Sequence, residues 1–193
     1  MRTLSKVYDT YGQARQAVTD LKAAGIPDSN ISLVANKHVS AEYDDVDTGA
    51  ATGAGVGAAV GGAGGLLAGL GLLAIPGLGP VVAAGWLAST LVGAVAGAAT
   101  GGIVGALVDA GVSKEDAEVY SEAIRRGGTL VTVQAEESQA SRVEAILAQH
   151  KPIDPMNRRG EYQKTGWKGY DPSAAPYDLN EAERERIRTP YRP

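Results

Sequence analysis

A long uncharged stretch is the feature that most constrains how this chain can fold. No charged residue lies between Asp47 and Asp109, and the stretch holds most of the 26 Gly found among 193 residues. Its apolar side chains must be buried against protein or lie in lipid, because exposure to water is unfavourable for them. Bulky core residues are scarce, since the chain has no Phe and only 5% aromatic residues. We therefore expect glycine and alanine to form much of the packing surface.

The uncharged stretch divides at a predicted turn near its middle. Two prolines and two glycines, Pro76, Gly77, Gly79 and Pro80, fall within six residues, a combination that breaks helices and indicates a tight turn. The apolar segments on either side each exceed the ~20 residues that cross a bilayer as a helix. We predict a helical hairpin over residues 48–108 with its turn at residues 75–80.

Small residues recur at every fourth position on both sides of this turn. In a helix, that spacing places them on one face, so that two helix backbones can approach closely. Each helical Gly costs about 1 kcal/mol relative to Ala, and close packing is needed to offset that cost. The predicted helix-packing interface, a glycine zipper, comprises Gly49, Gly53, Gly57, Gly61, Gly65, Gly69, Gly85, Ser89, Gly93, Gly97, Gly101 and Gly105.

The flanking segments, residues 1–47 and 109–150, predict the two halves of one small α+β domain. Hydrophobic periodicity and cap residues predict strands at 3–8, 31–35 and 129–135 and helices at 12–24, 113–126 and 138–149. We interpret the halves as a ferredoxin-like βαβ and αβα layer that the hairpin interrupts. Such a small sheet has an edge to cover, which favours self-association.

Four segments of the chain are similar to a known family. They are the βαβ sequence at 26–35, the Pro/Gly turn at 74–80, the end of the hairpin at 105–112 and the Arg-Arg-Gly-Gly sequence at 125–131. Together they resemble the bacterial general stress protein family, which includes heat- and low-temperature-induced membrane proteins. The resemblance covers roughly residues 3–135. It implies a stress-associated, membrane-linked protein without an established activity or a catalytic motif.

Residues 151–193 form a tail outside this resemblance, rich in proline, aromatic and charged residues. Basic and aromatic side chains alternate in it, as at Tyr162, Lys164, Trp167 and Lys168, which is typical of an arm for a protein, RNA or anionic lipid. Acidic residues nearly balance the basic ones, however. We interpret the segment as a mostly extended tail, disordered or docked on its own oligomer. The spacing of Asp178 and Glu181 predicts a capped short helix to about Arg188.

The residue inventory argues against an enzyme. With no Cys and two His, His38 and His150, a thiolate or three-His metal site cannot form within one chain. We interpret the acidic residues at 42–47 as partners of a helix N-terminus rather than metal ligands. A net charge of −4 argues against nucleic-acid binding. We expect no catalytic residues, no metal, no cofactor and no small-molecule substrate.

We therefore predict a stress-associated, non-enzymatic membrane protein that self-assembles through its glycine-zipper hairpin. Its expected partners are further copies of itself and the lipid bilayer. The first ten residues alternate apolar with charged side chains, unlike a signal peptide, so both termini are expected in the cytoplasm. The alternative is a soluble cytoplasmic homo-oligomer, such as a ring, shell or filament, with hairpins buried between subunits.

Overall fold

A computed structural model describes residues 1–36, 71–96 and 102–188. In chain order the elements are β1 (Arg2–Tyr8), α1 (Tyr11–Ala23), a 3-10 turn (Asp28–Asn30), β2 (Ile31–Asn36), β3 (Gly71–Ile75), β4 (Gly79–Ala84), α2 (Trp86–Ala96), α3 (Gly102–Asp109), α4 (Lys114–Arg125), β5 (Thr129–Ala135), α5 (Glu137–Gln149), α6 (Pro155–Lys164) and α7 (Glu181–Arg188). This mixture of one sheet and several helices confirms the predicted α+β class.

The strands form one antiparallel sheet in the order β1-β5-β2-β4-β3. Strand β5 lies between β1 and β2, so the N-terminal βαβ unit is split by the strand of the C-terminal half. Val7 pairs with Leu130, and Leu33 pairs with Val131. The two halves predicted from the sequence therefore meet in the centre of one sheet.

Helices cover both faces of the sheet because its central strands carry apolar side chains on both sides. One core contains residues of α1 and α5, such as Leu21 and Val143, packed against Leu33 of β2. The other contains residues of α2, α3, α4 and α6, packed against Val34 of the same strand. Alternate residues of β2 thus point into different cores, as the two-residue period of a strand requires.

The predicted helical hairpin is wrong around its turn, where the structure has a β-hairpin. The amide of Leu78 donates to the carbonyl of Ile75 at 3.1 Å, and Gly77 has a φ of +77°. Proline in the second position and left-handed glycine in the third are typical of a type II turn. Short apolar runs fit a buried strand as well as a helix, and β-branched Val81 and Val82 favour the strand.

The rest of the described uncharged stretch supplies core rather than a long span. Helices α2 and α3 contribute Leu87, Leu91, Ile103 and Leu107, all fully buried. Among residues 1–36, 71–96 and 102–188, no helix combines the length and apolar character needed to cross a membrane.

The tail is also more ordered than predicted, since it contains helices α6 and α7. Asp154 caps α6 by accepting from the amides of Met156 and Asn157. Helix α7 ends near the predicted residue, but its cap lies two residues later than expected. Asn180 and Glu183 exchange two hydrogen bonds of 2.9 Å between backbone amide and side-chain oxygen. The tail docks on the α+β domain of its own chain, and residues 165–180 join its two helices without helix or strand.

Candidate functional site: the tail clasp

The tail is joined to the domain at Asp9, the residue between β1 and the Thr10 cap of α1. Arg158 of α6 donates to both carboxylate oxygens of Asp9, at 2.7 and 2.8 Å. Arg186 of α7 donates to one of the same oxygens at 2.8 Å. A single carboxylate therefore holds both tail helices. We call Asp9, Arg126, Arg158, Tyr162 and Arg186 the tail clasp.

Arg126 brings the end of α4 into this clasp. Its Nε donates to Glu122 at 2.6 Å, and its Nη2 donates to Thr165 of the tail at 3.1 Å. Its guanidinium carbon lies 4.4 Å from the ring centre of Tyr162 and 5.0 Å from that of Tyr177. A planar cation over an aromatic face is attractive, more so where water is excluded. Arg126 thus binds two aromatic residues of the tail.

The two glycines that follow Arg126 make room for close approach. Gly127 has a φ of +90°, and a Cβ there would lie 2.5 Å from Cδ1 of Ile187, which is 1% exposed. A Cβ at Gly128 would lie 2.8 Å from the carbonyl oxygen of Ala123 and 3.0 Å from that of Tyr8. The Arg-Arg-Gly-Gly sequence therefore ends α4, admits α7 and lets the chain pass close to β1.

The type II turn between β3 and β4 contacts another part of the tail. The hydroxyl of Tyr170 donates to the carbonyl of Pro76 at 2.7 Å. A Cβ at Gly77 would overlap the carbonyl oxygen of Asp171, and one at Gly79 would lie 3.4 Å from Pro176. The small residues of this turn allow the tail backbone to lie directly on it.

Burial and neighbouring charges have opposite effects on the pKa values of groups in the clasp. Burial disfavours the charged form of Asp9, but hydrogen bonds and charges from Arg158 and Arg186 outweigh it and hold its pKa below the ordinary 3.8. The hydrogen bond to Asp9 raises the pKa of Arg158 despite burial. Burial raises the pKa of Tyr162 to about 12, although the neighbouring Arg158 lowers it in part. At neutral pH Asp9 is therefore an ionised carboxylate bound by the guanidinium groups of Arg158 and Arg186, and Tyr162 is a neutral phenol.

The Asp9 carboxylate binds groups of its own chain. Both oxygens of Asp9 accept from guanidinium groups, so this carboxylate is engaged by fixed partners. In the described part of the chain, no group of three or more His, Asp or Glu is placed to hold a metal ion. The acidic residues at 42–47 and His38 lie outside the described residues.

The structure describes only part of the predicted glycine-zipper interface. Gly85 lies between β4 and α2 with a φ of +84°, and a Cβ there would overlap Ile31 and Ser32 of β2, so the helical placement predicted for it is wrong. Ser89 and Gly93 lie on α2, where Ser89 is exposed, and Gly105 lies on α3. The remaining members, Gly49, Gly53, Gly57, Gly61, Gly65, Gly69, Gly97 and Gly101, lie outside the described residues.

Sequence reasoning missed the clasp because its members lie far apart along the chain. Asp9 reads as an ordinary polar residue after a strand, and Arg158 and Arg186 read as solvated charges. The alternation of basic and aromatic residues in the tail was the available signal. That alternation is typical of an arm for an external partner, and the near balance of charges favours a mostly extended tail, disordered or docked on its own oligomer; in the structure these arginines and tyrosines are partners of the domain.

A comparison with protein families places the first part of this fold in context. Residues 3–74 match the model of the heat-induced stress protein YflT domain. The match includes β1, α1 and β2, supports the resemblance to a bacterial general stress protein family, and supports a stress-associated role. No curated protein and no solved structure matches the chain.

Proposed function

We propose that this protein is a non-enzymatic stress protein that acts by forming a structural homo-oligomer. In this proposal, the α+β domain and its tail are the folded unit, and the glycine-rich stretch at 48–70 is the assembly segment. The observation that carries the proposal is the docking of the tail on its own domain. Because the tail is engaged within the chain, we assign the contact between subunits to the glycine-rich stretch.

The core composition supports the same division of roles. The part of the uncharged stretch after residue 70 supplies buried residues such as Leu78, Leu87 and Leu107 to the domain. The part before it joins β2 to β3 and retains an apolar sequence with Gly49, Gly53, Gly57, Gly61, Gly65 and Gly69 at every fourth position. This spacing favours close packing between copies of the same segment.

Light scattering on the full-length chain tests the proposal. We expect an oligomer that Gly61→Leu disrupts, because a leucine side chain would separate closely packed backbones. The matched control is Gly160→Leu in α6, where an added Cβ meets nothing within 4 Å. A monomeric wild-type protein, or equal oligomer size in both variants, would refute the assembly segment.

Cell fractionation separates this proposal from the membrane hypothesis. The structural homo-oligomer should be recovered as a large particle without detergent. Recovery of the protein in the membrane fraction, with resistance to extraction by alkaline carbonate, would instead support insertion of residues 48–70 into lipid. That result would overturn the proposal of a homo-oligomer that forms without detergent.

A further inference from the structure

A second feature of the docked tail is a cleft lined by Arg125, the residue before Arg126 of the clasp. It has a volume of about 380 Å³ and lies between the β3–β4 turn, helix α4 and the tail segment 166–174. We call it the tail cleft and define it by Leu78, Arg125, Trp167, Lys168 and Tyr170. Its volume lies in the range typical of small-molecule sites, about 300–1,000 Å³.

The cleft combines apolar walls with cations. Leu78, Trp167 and Tyr170 supply the apolar lining, and Trp167 is held by an edge-to-face contact with Tyr162 at a ring-centre distance of 5.9 Å. Arg125 and Lys168 supply positive charge. Rings of this kind provide stacking surface for a flat ligand.

Arg125 has a buried donor for which the described residues supply no acceptor. Its Nη1 donates to Glu122 at 3.2 Å, and its Nη2 donates to the carbonyl of Ala175 at 2.8 Å. Its Nε is buried, and no acceptor among the described residues lies within hydrogen-bond distance of it. Buried donors in folded proteins are nearly always satisfied, which makes this Nε–H an exception; the Arg125 side chain as a whole lines the cleft.

Charged residues of both signs line the cleft: the cations Arg125 and Lys168, and the carboxylates Glu122 and Asp171. Glu122 is paired with Arg125 and Arg126, and Asp171 accepts from the amide and hydroxyl of Ser173. Lys168, in contrast, has no ion-pair partner within 4 Å among the described residues. Arg125 and Lys168 are therefore the lining cations available to an anionic group of a ligand, and Lys168 is exposed.

From this geometry we propose that the tail cleft binds an aromatic compound that carries one carboxylate or phosphate group. The ring lies against Trp167 and Tyr170, and the anionic group accepts from Arg125 and Lys168. Because tail and domain both line the cleft, binding also stabilises the docked tail by mass action. The proposal is independent of the assembly segment.

Nuclear magnetic resonance of the two indole groups tests this proposal on the full chain. Trp167 lines the cleft and Trp86 does not, so Trp86 is an internal control. Phenyl phosphate and benzoate serve as probes. Inorganic phosphate, which has the anionic group without the ring, and benzyl alcohol, which has the ring without the charge, serve as controls. We expect saturable movement of the Trp167 signal with at least one of the two anionic probes, and a static Trp86 signal.

Two variants connect the binding to the named cations. Lys168→Ala removes an exposed side chain, and the matched control Lys164→Ala removes an exposed lysine outside the cleft. Loss of a charge-assisted contact should weaken probe binding about tenfold in Lys168→Ala and not in Lys164→Ala. Arg125→Lys should weaken it similarly. The proposal is overturned if neither anionic probe saturates, if the two lysine variants bind equally, or if inorganic phosphate binds as well as phenyl phosphate.

Discussion

Asp9 and Arg158 form a two-point ion pair although they are separated by 149 positions in the chain. The carboxylate belongs to the loop that starts α1, and the guanidinium belongs to the first helix of the tail. Parallel hydrogen bonds of this type fix both distance and orientation. The contact makes the tail part of the domain, and Arg186 adds a second point of attachment at the same carboxylate.

Removing the carboxylate should release much of this attachment. We expect Asp9→Asn to lower the free energy of unfolding by about 2 kcal/mol, because two arginines lose their charged acceptor in a half-buried site. Asp28→Asn is the matched control. Its partner Lys22 is 2.9 Å away, but the Asp28 side chain is 53% exposed, so its loss should be under about 1 kcal/mol. Urea denaturation measures both values, and equal losses would contradict the role of Asp9.

The stability of the docked tail should fall in acid. The pKa of Asp9 in the folded protein is lower than its ordinary value of 3.8. A carboxyl with a lowered folded pKa contributes stability above its unfolded pKa and loses it as the pH falls towards the folded one. The contribution of Asp9 should therefore be constant from pH 7 to about pH 5 and decline below about pH 4. The difference in urea midpoint between wild type and Asp9→Asn, measured against pH, should shrink over that acid range; an unchanged difference at pH 3 would argue against this ionisation.

Two glycine-to-alanine substitutions should change the free energy of unfolding in opposite directions. Gly128→Ala places a Cβ within 3.0 Å of two backbone carbonyl oxygens, so we expect a loss of about 1–3 kcal/mol from overpacking. Gly160→Ala meets open space in helix α6 and should add up to about 1 kcal/mol through helix propensity. Thermal unfolding of both variants checks the sign, and stabilisation by Gly128→Ala would be incompatible with the close passage of the chain at β1.

The last tail helix should stabilise the domain as part of its hydrophobic core. Ile187 is 1% exposed and packs in the cluster that includes Tyr8 and Ala35, whereas Met156 of α6 is 83% exposed. We expect Ile187→Ala to lower the free energy of unfolding by about 2–4 kcal/mol and to expose the tail to trypsin. Met156→Ala should do neither. Similar digestion rates for the two variants would show that Ile187 is not an anchor.

Local patterns were sufficient to predict the α+β domain but not the tail. Strand β5 and the Ser113-capped helix α4 are defined by alternation and capping within a few residues, so their predicted bounds closely agree with the structure. The Pro-Gly turn was also predicted, but its apolar flanks fit either helix or strand, and only pairing with β2 decides between them. The clasp depends on a carboxylate and two arginines brought together by folding. A contact between residues so far apart in the chain leaves no periodic pattern in the local sequence.

The most direct test of the central claim asks whether the tail docks on its own domain or on another copy. Arg159 of α6 donates to the carbonyl of Glu115 on α4, so Glu115→Cys and Arg159→Cys place one thiol on each side of this contact, in a chain that has no other cysteine. A short bismaleimide should then link the two positions within one chain, and the product should migrate as a monomer on a denaturing gel. Covalent dimers as the main product would contradict the account, since the tail would then dock on a neighbouring subunit.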